Sequence, residues 1–403
     1  MSSRGASGRA LVVLALSALS ALAPARAQPT EARRLVVHPV EIENAGALAE
    51  LREALGELVG ERRRRVRVMH FGDSNVAADV WTAVTREALQ ARYGDGGSGY
   101  LVPRRIGSWH RGPVRLDTAG EWTARRRGYA RDFGPLDGGW GLAGVAVEPA
   151  SPGASLLLSR PADTGEREVE LHALGRARPG RLEVRVDVGP YEAVPLSRAQ
   201  PELVVVRRAL DAGAHRVHVR AAGGVPRVLG LVVERPRGLV YDVLGINGHR
   251  ASAILTWDEA LLAAQLRRRP PDLVVLSYGG NEALDRGLSL AAYEDDTSAA
   301  IARVRQLAPR ASCLLVGPLA TFPAHAPRMG AVSAIQRRLA QRHGCGFWDS
   351  AASSGGPGPL ERWARFPGMV ASDRLHLGRE GYTRVGRSFA HALLRAVGAG
   401  ERG

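Results

Sequence analysis

The hydrophobic pattern of the chain changes twice along its length. Before residue 109 and after residue 237, short buried-type strands alternate with stretches of helical period. Examples are the strand pattern at 66–70, which precedes a helix near 78–92, and the strand at 272–278, which precedes a helix near 290–307. Between 109 and 237 the apolar runs are short, alternating and separated by Gly, Pro and Asp turns. This middle segment is typical of antiparallel β-structure, and its flanks are typical of a doubly wound parallel sheet.

We therefore predict an α/β fold, a doubly wound parallel sheet with an inserted antiparallel β-sandwich domain. The 403 residues are enough for two domains with hydrophobic cores of their own. The predicted boundaries are a signal peptide at 1–27, the first part of the α/β domain at 28–108, the inserted domain at 109–237 and the second part of the α/β domain at 238–403.

The first residues have the features of a secretory signal. Two arginines, Arg4 and Arg9, precede an apolar stretch at 10–23, and Ala25 and Ala27 form a small-residue cleavage site. The apolar stretch is short for a membrane span, and no later segment approaches ~18 consecutive apolar residues. We expect a secreted or periplasmic protein after cleavage, without stable membrane insertion.

The charge is strongly basic, with 55 basic residues against 40 acidic ones, and every basic residue is arginine. Runs such as 62–65 and 125–127 suit an anionic polymer, although a solvated surface is the simpler interpretation of each single run. An exported chain with 5% aromatic residues and no recognised reading motif is a poor candidate for nucleic-acid binding. An acidic cell-wall polymer fits the predicted compartment better.

A serine stands at the end of the first predicted strand. The sequence Phe71-Gly72-Asp73-Ser74-Asn75 follows the apolar strand and precedes the first helix. Such a turn holds a hydroxyl at the carboxyl edge of a sheet, beside the N–H groups that open the helix. A Gly-Asp-Ser turn alone is weak evidence, so the assignment of a nucleophile depends on the rest of the sequence.

Three further motifs supply the other groups that acyl transfer needs. Near the carboxyl end, Asp373 and His376 are three residues apart on a predicted turn, where the carboxylate can orient the imidazole. Asn281 follows the strand at 272–278, and Gly248 follows a strand at 240–244. An asparagine side chain and a glycine N–H at strand ends can both donate to an oxyanion.

The four motifs together resemble the SGNH hydrolase superfamily, also called the GDSL esterases. The resemblance implies that Ser74 is the nucleophile, His376 the base and Asp373 its partner. It also implies an oxyanion hole formed by the N–H of Ser74, the N–H of Gly248 and the side chain of Asn281. Two departures, Asn75 in place of the usual leucine and Glu282 in place of the usual aspartate, favour a bacterial cell-wall subgroup.

The place of the β insertion resembles that in bacterial peptidoglycan O-acetylesterases, where a carbohydrate-module-like domain interrupts the SGNH core. The expected function is that of an exported serine esterase that removes acetyl groups from O-acetylated cell-wall polysaccharide, with peptidoglycan as the leading substrate. The alternatives are a polysaccharide O-acetyltransferase with the same residues and a non-catalytic glycan-binding protein. Trp109, Trp122 and Trp140 could stack on sugars, although a tryptophan in a β domain more often belongs to the core.

The two cysteines fall at comparable positions of neighbouring strands. Cys313 lies early in one predicted strand and Cys345 just before the next, so both are expected at the edge away from the site. In an oxidising compartment we predict a disulfide between them. The histidines are scattered, and neither a metal site nor a cofactor is expected. The oligomeric state is left open by the sequence.

Overall fold

The computed structural model describes residues 39–103, 110–126, 137–319, 323–356 and 359–398. The predicted signal peptide at 1–27 lies outside these residues. Within them, the strands in chain order are β1 (Arg65–Gly72), β2 (Gly99–Leu101), β3 (Arg115–Ala119), β4 (Trp122–Arg125), β5 (Ala146–Pro149), β6 (Ser155–Arg160), β7 (Glu168–Gly175), β8 (Arg181–Val186), β9 (Glu192–Val194), β10 (Glu202–Ala209), β11 (His215–Gly223), β12 (Val228–Glu234), β13 (Gly238–Gly245), β14 (Leu273–Ser277), β15 (Ser312–Val316) and β16 (Gly346–Trp348).

The described helices in chain order are α1 (Ala49–Val59), α2 (Ser74–Ala77), α3 (Trp81–Tyr93), α4 (Glu259–Arg268), α5 (Gly280–Leu284), α6 (Leu290–Leu307), α7 (Ala326–Arg342), α8 (Ser350–Ser353), α9 (Leu360–Trp363) and α10 (Arg379–Ala396). Short 3₁₀ turns cover Ala45–Leu48, Ala251–Thr256 and Pro323–His325.

The α/β domain is built on a parallel sheet with the strand order β13-β1-β14-β15-β16. The strands β13, β14 and β15 are buried along their whole length, which explains their nearly continuous apolar sequences. The chain goes from β1 to β13 on one side and then to β14 on the other, so the direction of winding reverses at β1. In folds of this kind ligands bind outside the carboxyl ends of the strands at such a reversal.

Two helices that are distant in sequence pack closely beside this sheet. In α10 the apolar residues Tyr382, Val385, Phe389 and Leu393 recur at helical spacing and are all buried. At Gly386 the helix approaches α3 so closely that an added Cβ would lie 2.6 Å from the backbone oxygen of Trp81. A glycine is therefore required where the two helices cross.

The inserted segment forms two antiparallel sheets. One has the order β10-β7-β12-β5-β4 with β2 also paired to β12, and the other has the order β3-β6-β11-β8-β9. Buried residues from both sheets, such as Leu171 and Val217, belong to one hydrophobic cluster, so the sheets pack face to face. The predicted fold class, a parallel α/β sheet with an inserted antiparallel β domain, is confirmed.

Strand pairing brings one short segment into the insertion that lies before the predicted boundary at 109. Gly99–Leu101 pairs antiparallel with β12, with Tyr100 opposite Val232. Three residues after a glycine-rich turn are too few to show a strand period, which is why the sequence pattern missed this strand. The domain boundaries themselves stay predictions.

A buried ion network joins the insertion to the parallel sheet. Arg269, which follows α4, bonds Asp242 of β13 at 2.7 and 2.8 Å and Glu234 of β12 at 2.5 Å. Arg67 of β1 bonds the same Glu234 at 3.0 and 3.1 Å. Removing one member would leave a buried charge unpaired, so the network fixes how the two sheets meet.

The two described tryptophans of the insertion pack in or against hydrophobic cores, which is the interpretation that the sequence favoured over stacking on sugars. Trp140 is 2% exposed and lies in the hydrophobic cluster that also contains Leu244 and Ile254 of the α/β domain. Trp122 is half-buried, packs against the sandwich core and donates its indole N–H to Ser155 O at 3.2 Å. Trp109 lies outside the described residues. Burial of apolar area therefore accounts for the two described tryptophans.

Cys313 and Cys345 form a disulfide across neighbouring strands, with their Cα atoms 4.7 Å apart. The bond closes a loop between positions 32 residues apart, which contains α7. In the described part of the chain, every helix is too short or too polar to cross a membrane.

Candidate active site

The nucleophile candidate Ser74 is the first residue of α2, directly after β1. Asp73 caps this helix by accepting a hydrogen bond from the Asn75 N–H at 2.9 Å. At Gly72 a Cβ would lie 2.4 Å from the Val76 side chain and 2.7 Å from Ser277 O, so a glycine is required there. This tight turn leaves Ser74 half-buried at the carboxyl end of β1, an inner strand of the sheet.

Ser74 is hydrogen-bonded to the predicted base. Its Oγ lies 2.8 Å from His376 Nε2, and His376 Nδ1 lies 2.7 Å from Asp373 Oδ2. Burial alone would raise the pKa of Asp373, but hydrogen bonds from the backbone and side chain of His376 and from the Leu375 N–H lower it to about 2. The carboxylate is therefore ionised at neutral pH and holds the imidazole with the proton on Nδ1, which leaves Nε2 to accept the serine proton.

The two predicted oxyanion donors lie on either side of Ser74, since β13 and β14 flank β1. Gly248 follows β13 and has a φ of 78°, a left-handed conformation that favours glycine. Asn281 lies in α5 after β14, and its side-chain N–H donates to His249 O at 2.8 Å. An amide has two N–H bonds, so this contact orients Asn281 and leaves one donor for substrate.

Asn75, the first departure from the family pattern, connects the serine turn to α10. Its side-chain N–H donates to Asp73 at 3.0 Å, and its side-chain oxygen accepts from the Tyr382 hydroxyl at 2.7 Å. Asp73 is buried, and burial raises its pKa although the hydrogen bonds from Asn75 lower it. A leucine at this position could not make these bonds.

Glu282, the second departure, links two loops beneath the site. Its carboxylate accepts from the backbone N–H of Ala251 and of Gly279, each at 3.0 Å. Burial raises its pKa to about 7 in spite of these bonds. The glutamate thus ties the segment that follows Gly248 to the turn that carries Asn281.

A cavity of about 780 Å³ opens over these groups. It is lined by Ser74, Ala78, Val80, Arg111, Asn247, Gly248, Asn281, Leu284, Ala371, Asp373, Leu375, His376, Leu377, Gly378, Arg379 and Tyr382. Every residue predicted for the triad and the oxyanion hole is among them. Within the described residues, no group of three or more His, Cys, Asp or Glu side chains is placed to hold a metal ion.

Sequence reasoning missed three residues that contribute to this site. Tyr382 looks like one more apolar position of α10, and its hydroxyl bond to Asn75 is not visible in that pattern. Glu282 stands out in the sequence only as a departure from the family pattern. Arg111 was missed because it comes from the insertion, whose sequence carries no motif, and reaches the cavity through tertiary packing.

Part of the chain matches a known protein family in sequence. Residues 212–384 match the model of the GDSL-like Lipase/Acylhydrolase family. The match includes Gly248, Asn281, Asp373 and His376 but starts after Ser74, since the insertion separates the first motif from the others. No curated protein matches the chain significantly in sequence.

One solved structure of an esterase shares the fold over most of the chain. A peptidoglycan O-acetylesterase superposes with a TM-score of 0.73 at 24% identity, and the match covers 88% of this chain and 98% of that one. A family two carbohydrate esterase from Cellvibrio japonicus matches with a TM-score of 0.31 at 12% identity, covering 70% of this chain and 98% of that one. The chain thus shares the fold of the peptidoglycan O-acetylesterase structure. Its residues 212–384, which include four of the five predicted site residues, are similar to the GDSL-like Lipase/Acylhydrolase family.

Proposed function

We propose that this protein is an exported serine esterase that removes acetyl groups from O-acetylated cell-wall polysaccharide, with peptidoglycan as the substrate. The observation that carries the proposal is the 2.8 Å contact between Ser74 and His376, beside two oxyanion donors and above an oriented Asp373. The name of the structure with a TM-score of 0.73, a peptidoglycan O-acetylesterase, supports the choice of substrate. The Cys313–Cys345 disulfide suits an oxidising compartment and supports export.

The first half of the reaction forms an acyl-enzyme. Ser74 Oγ attacks the acetyl carbonyl carbon while His376 Nε2 takes the hydroxyl proton. The carbonyl oxygen becomes an oxyanion that accepts hydrogen bonds from the N–H groups of Ser74 and Gly248 and from the Asn281 amide. The C–O bond to the sugar then breaks, and His376 returns the proton to the departing sugar oxygen.

The second half releases acetate. Water attacks the acetyl-Ser74 carbonyl, His376 accepts the water proton, and the same three donors hold the second oxyanion. Collapse of this intermediate breaks the bond to Ser74, and His376 returns the proton to Ser74 Oγ. The product leaves as acetic acid, which ionises to acetate. A sugar hydroxyl in place of water would make the same residues an acetyltransferase, so the acceptor has to be measured.

The test uses purified protein and O-acetylated peptidoglycan, with free acetate measured against acetyl groups transferred to an added unacetylated glycan. We expect acetate release that depends on Ser74, with little transfer. Transfer in excess of release would replace the esterase by the transferase. Binding of the glycan with neither reaction would favour the non-catalytic alternative.

A further inference from the structure

An arginine from the inserted domain lies at the rim of the cavity that contains Ser74. Arg111 is exposed and lines this cavity together with Arg379. Among the residues that the structure describes, the one carboxylate lining the cavity is that of Asp373, and it is already engaged by His376. Among the described lining residues, the charge left over beside the nucleophile is therefore positive.

The backbone of Arg111 is held at both of its polar groups by a buried ion pair. Its N–H donates to Asp79 at 2.5 Å, and its C=O accepts from Arg86 at 2.8 Å. Asp79 and Arg86 bond each other at 3.1 and 3.3 Å, and they are 0% and 5% exposed. Burial of Asp79 and Arg86 costs desolvation free energy. This buried ion pair fixes the position of the exposed residue Arg111.

Asp79 also follows the nucleophile closely in the chain. It comes two residues after α2, with a φ of 43° in the left-handed region that non-glycine residues seldom adopt. Thr82 donates to its carboxylate at 2.7 Å, which further fixes the side chain. The carboxylate of Asp79, a residue that closely follows the helix with Ser74, therefore holds the segment that carries Arg111.

One hydrogen bond orients the side chain of Arg111 and leaves the N–H groups of its two terminal nitrogens available. Its Nε donates to Ala78 O at 3.1 Å, and Ala78 itself lines the cavity. Within the part of the chain that the structure describes, no group accepts a hydrogen bond from its two terminal nitrogens. A guanidinium with both terminal nitrogens unused matches the two oxygens of a carboxylate.

We propose that Arg111 is a subsite for a carboxylate of the polymer, which lies beside the acetylated sugar when the ester enters the cavity. The proposal rests on the proposed function for the identity of the polymer. It assigns to the site a preference for acidic over neutral acetylated glycans, with Asp79 and Arg86 as positioning residues. The carboxylate belongs either to the sugar itself or to an attached peptide.

The experiment compares O-acetylated muropeptide fragments with their neutral amides. One fragment pair carries the carboxylate on the sugar and has no peptide, and the other pair carries it only on the peptide. The measured quantity is the ratio of kcat/KM for the acid to that for its amide. We expect a ratio of about 10 or more for one of the two pairs, which identifies the source, and a decrease of the ratio in 0.5 M salt.

The variants are Arg111→Gln, Arg111→Lys and, as a matched control, Arg310→Gln, an exposed arginine at the opposite edge of the sheet. Arg111→Gln should bring the ratio close to 1, mainly through KM. Arg111→Lys keeps the charge but loses the paired terminal N–H donors, so its kcat/KM ratio should be intermediate. Arg310→Gln should keep the wild-type ratio. Equal ratios in the wild type and in Arg111→Gln would overturn the subsite.

A binding measurement separates this proposal from the proposed function. Unacetylated acidic fragments are tested as competitive inhibitors of p-nitrophenyl acetate hydrolysis. Suppose that acetylated glycans are not turned over but that inhibition by the unacetylated acidic fragments weakens about tenfold in Arg111→Gln. The substrate assignment then fails and the subsite stands. If the acetylated glycans are turned over with no preference for charge, the esterase stands and the subsite falls.

Discussion

Ser74 Oγ and His376 Nε2 lie 2.8 Å apart although 302 positions separate them in the chain. Ser74 is fixed by the end of β1, and His376 lies in the loop that leads into α10. Because α10 packs against α3 at Gly386, the position of the base depends on a helix crossing remote from the reaction. The inserted domain, predicted at 109–237, lies within the intervening sequence and leaves this contact intact.

The first prediction concerns the nucleophile. Ser74→Ala should lower kcat for p-nitrophenyl acetate by about 10⁴ or more, because an acyl-enzyme cannot form without the hydroxyl. The thermal unfolding temperature should change little, since the side chain is small and half-buried. Ser197→Ala, an exposed serine of the insertion, is the control and should keep wild-type activity. Substantial residual turnover in Ser74→Ala would move the nucleophile elsewhere.

The oxyanion hole gives a second prediction. Asn281→Ala should lower kcat by about 10²–10³ with a smaller effect on KM, since the lost hydrogen bond strengthens as charge develops on the carbonyl oxygen. The variant also loses the contact to His249 O, so its fold has to be checked by circular dichroism. A change confined to KM would mean that Asn281 binds the ground state and does not stabilise the oxyanion.

Glu282 gives a prediction about pH. Burial raises its pKa from 4.5 to about 7, against the hydrogen bonds from Ala251 and Gly279. The folded state therefore holds this proton more tightly than the unfolded state, and the free energy of unfolding should decrease as the pH rises from about 4.5 to about 7. Glu282→Gln cannot titrate and should lack this decrease.

Urea unfolding at pH 5 and pH 8 tests this prediction. From pH 5 to pH 8 the wild type should lose a few kcal/mol of unfolding free energy relative to Glu282→Gln. Glu50→Gln, at an exposed position of α1, should follow the wild type. Parallel pH curves for wild type and Glu282→Gln would contradict the buried titration.

The disulfide is tested by its effect on the unfolded chain. Replacing Cys313 and Cys345 together by serine should lower the free energy of unfolding by about 3–4 kcal/mol, the chain entropy of a loop of this size. Activity at 25 °C should persist, since the bond lies away from the carboxyl edge of the sheet. Thiol titration of the unfolded, non-reduced protein should find no free thiol, and two free thiols would exclude the bond.

Much of the fold and site could be predicted because the information is local. A few consecutive residues are enough to indicate each of three features, namely the turn at Gly72–Ser74, the Asp373–His376 pair and the helical period of α10. The contacts of Arg111, Tyr382 and Glu282 could not be predicted, since each depends on how separate elements pack. The short strand β2 could not be predicted for a different reason, since three residues are too few to show a strand period. The tryptophans show a further limit, since residue type alone does not separate a core position from a stacking surface.

Trp140 provides the last prediction, which tests whether it is a core residue or stacks on sugars. It is 2% exposed, and its backbone oxygen accepts a hydrogen bond from Gln265 at 3.0 Å. Trp140→Ala should lower the free energy of unfolding by about 3–5 kcal/mol, because it opens a cavity where the insertion packs on the α/β domain. Trp122→Ala, at a half-buried position, should cost less. After correction for the folded fraction, Trp140→Ala should turn over acetylated peptidoglycan and p-nitrophenyl acetate with equal losses. A stable variant that loses activity on the polymer alone would restore the stacking role.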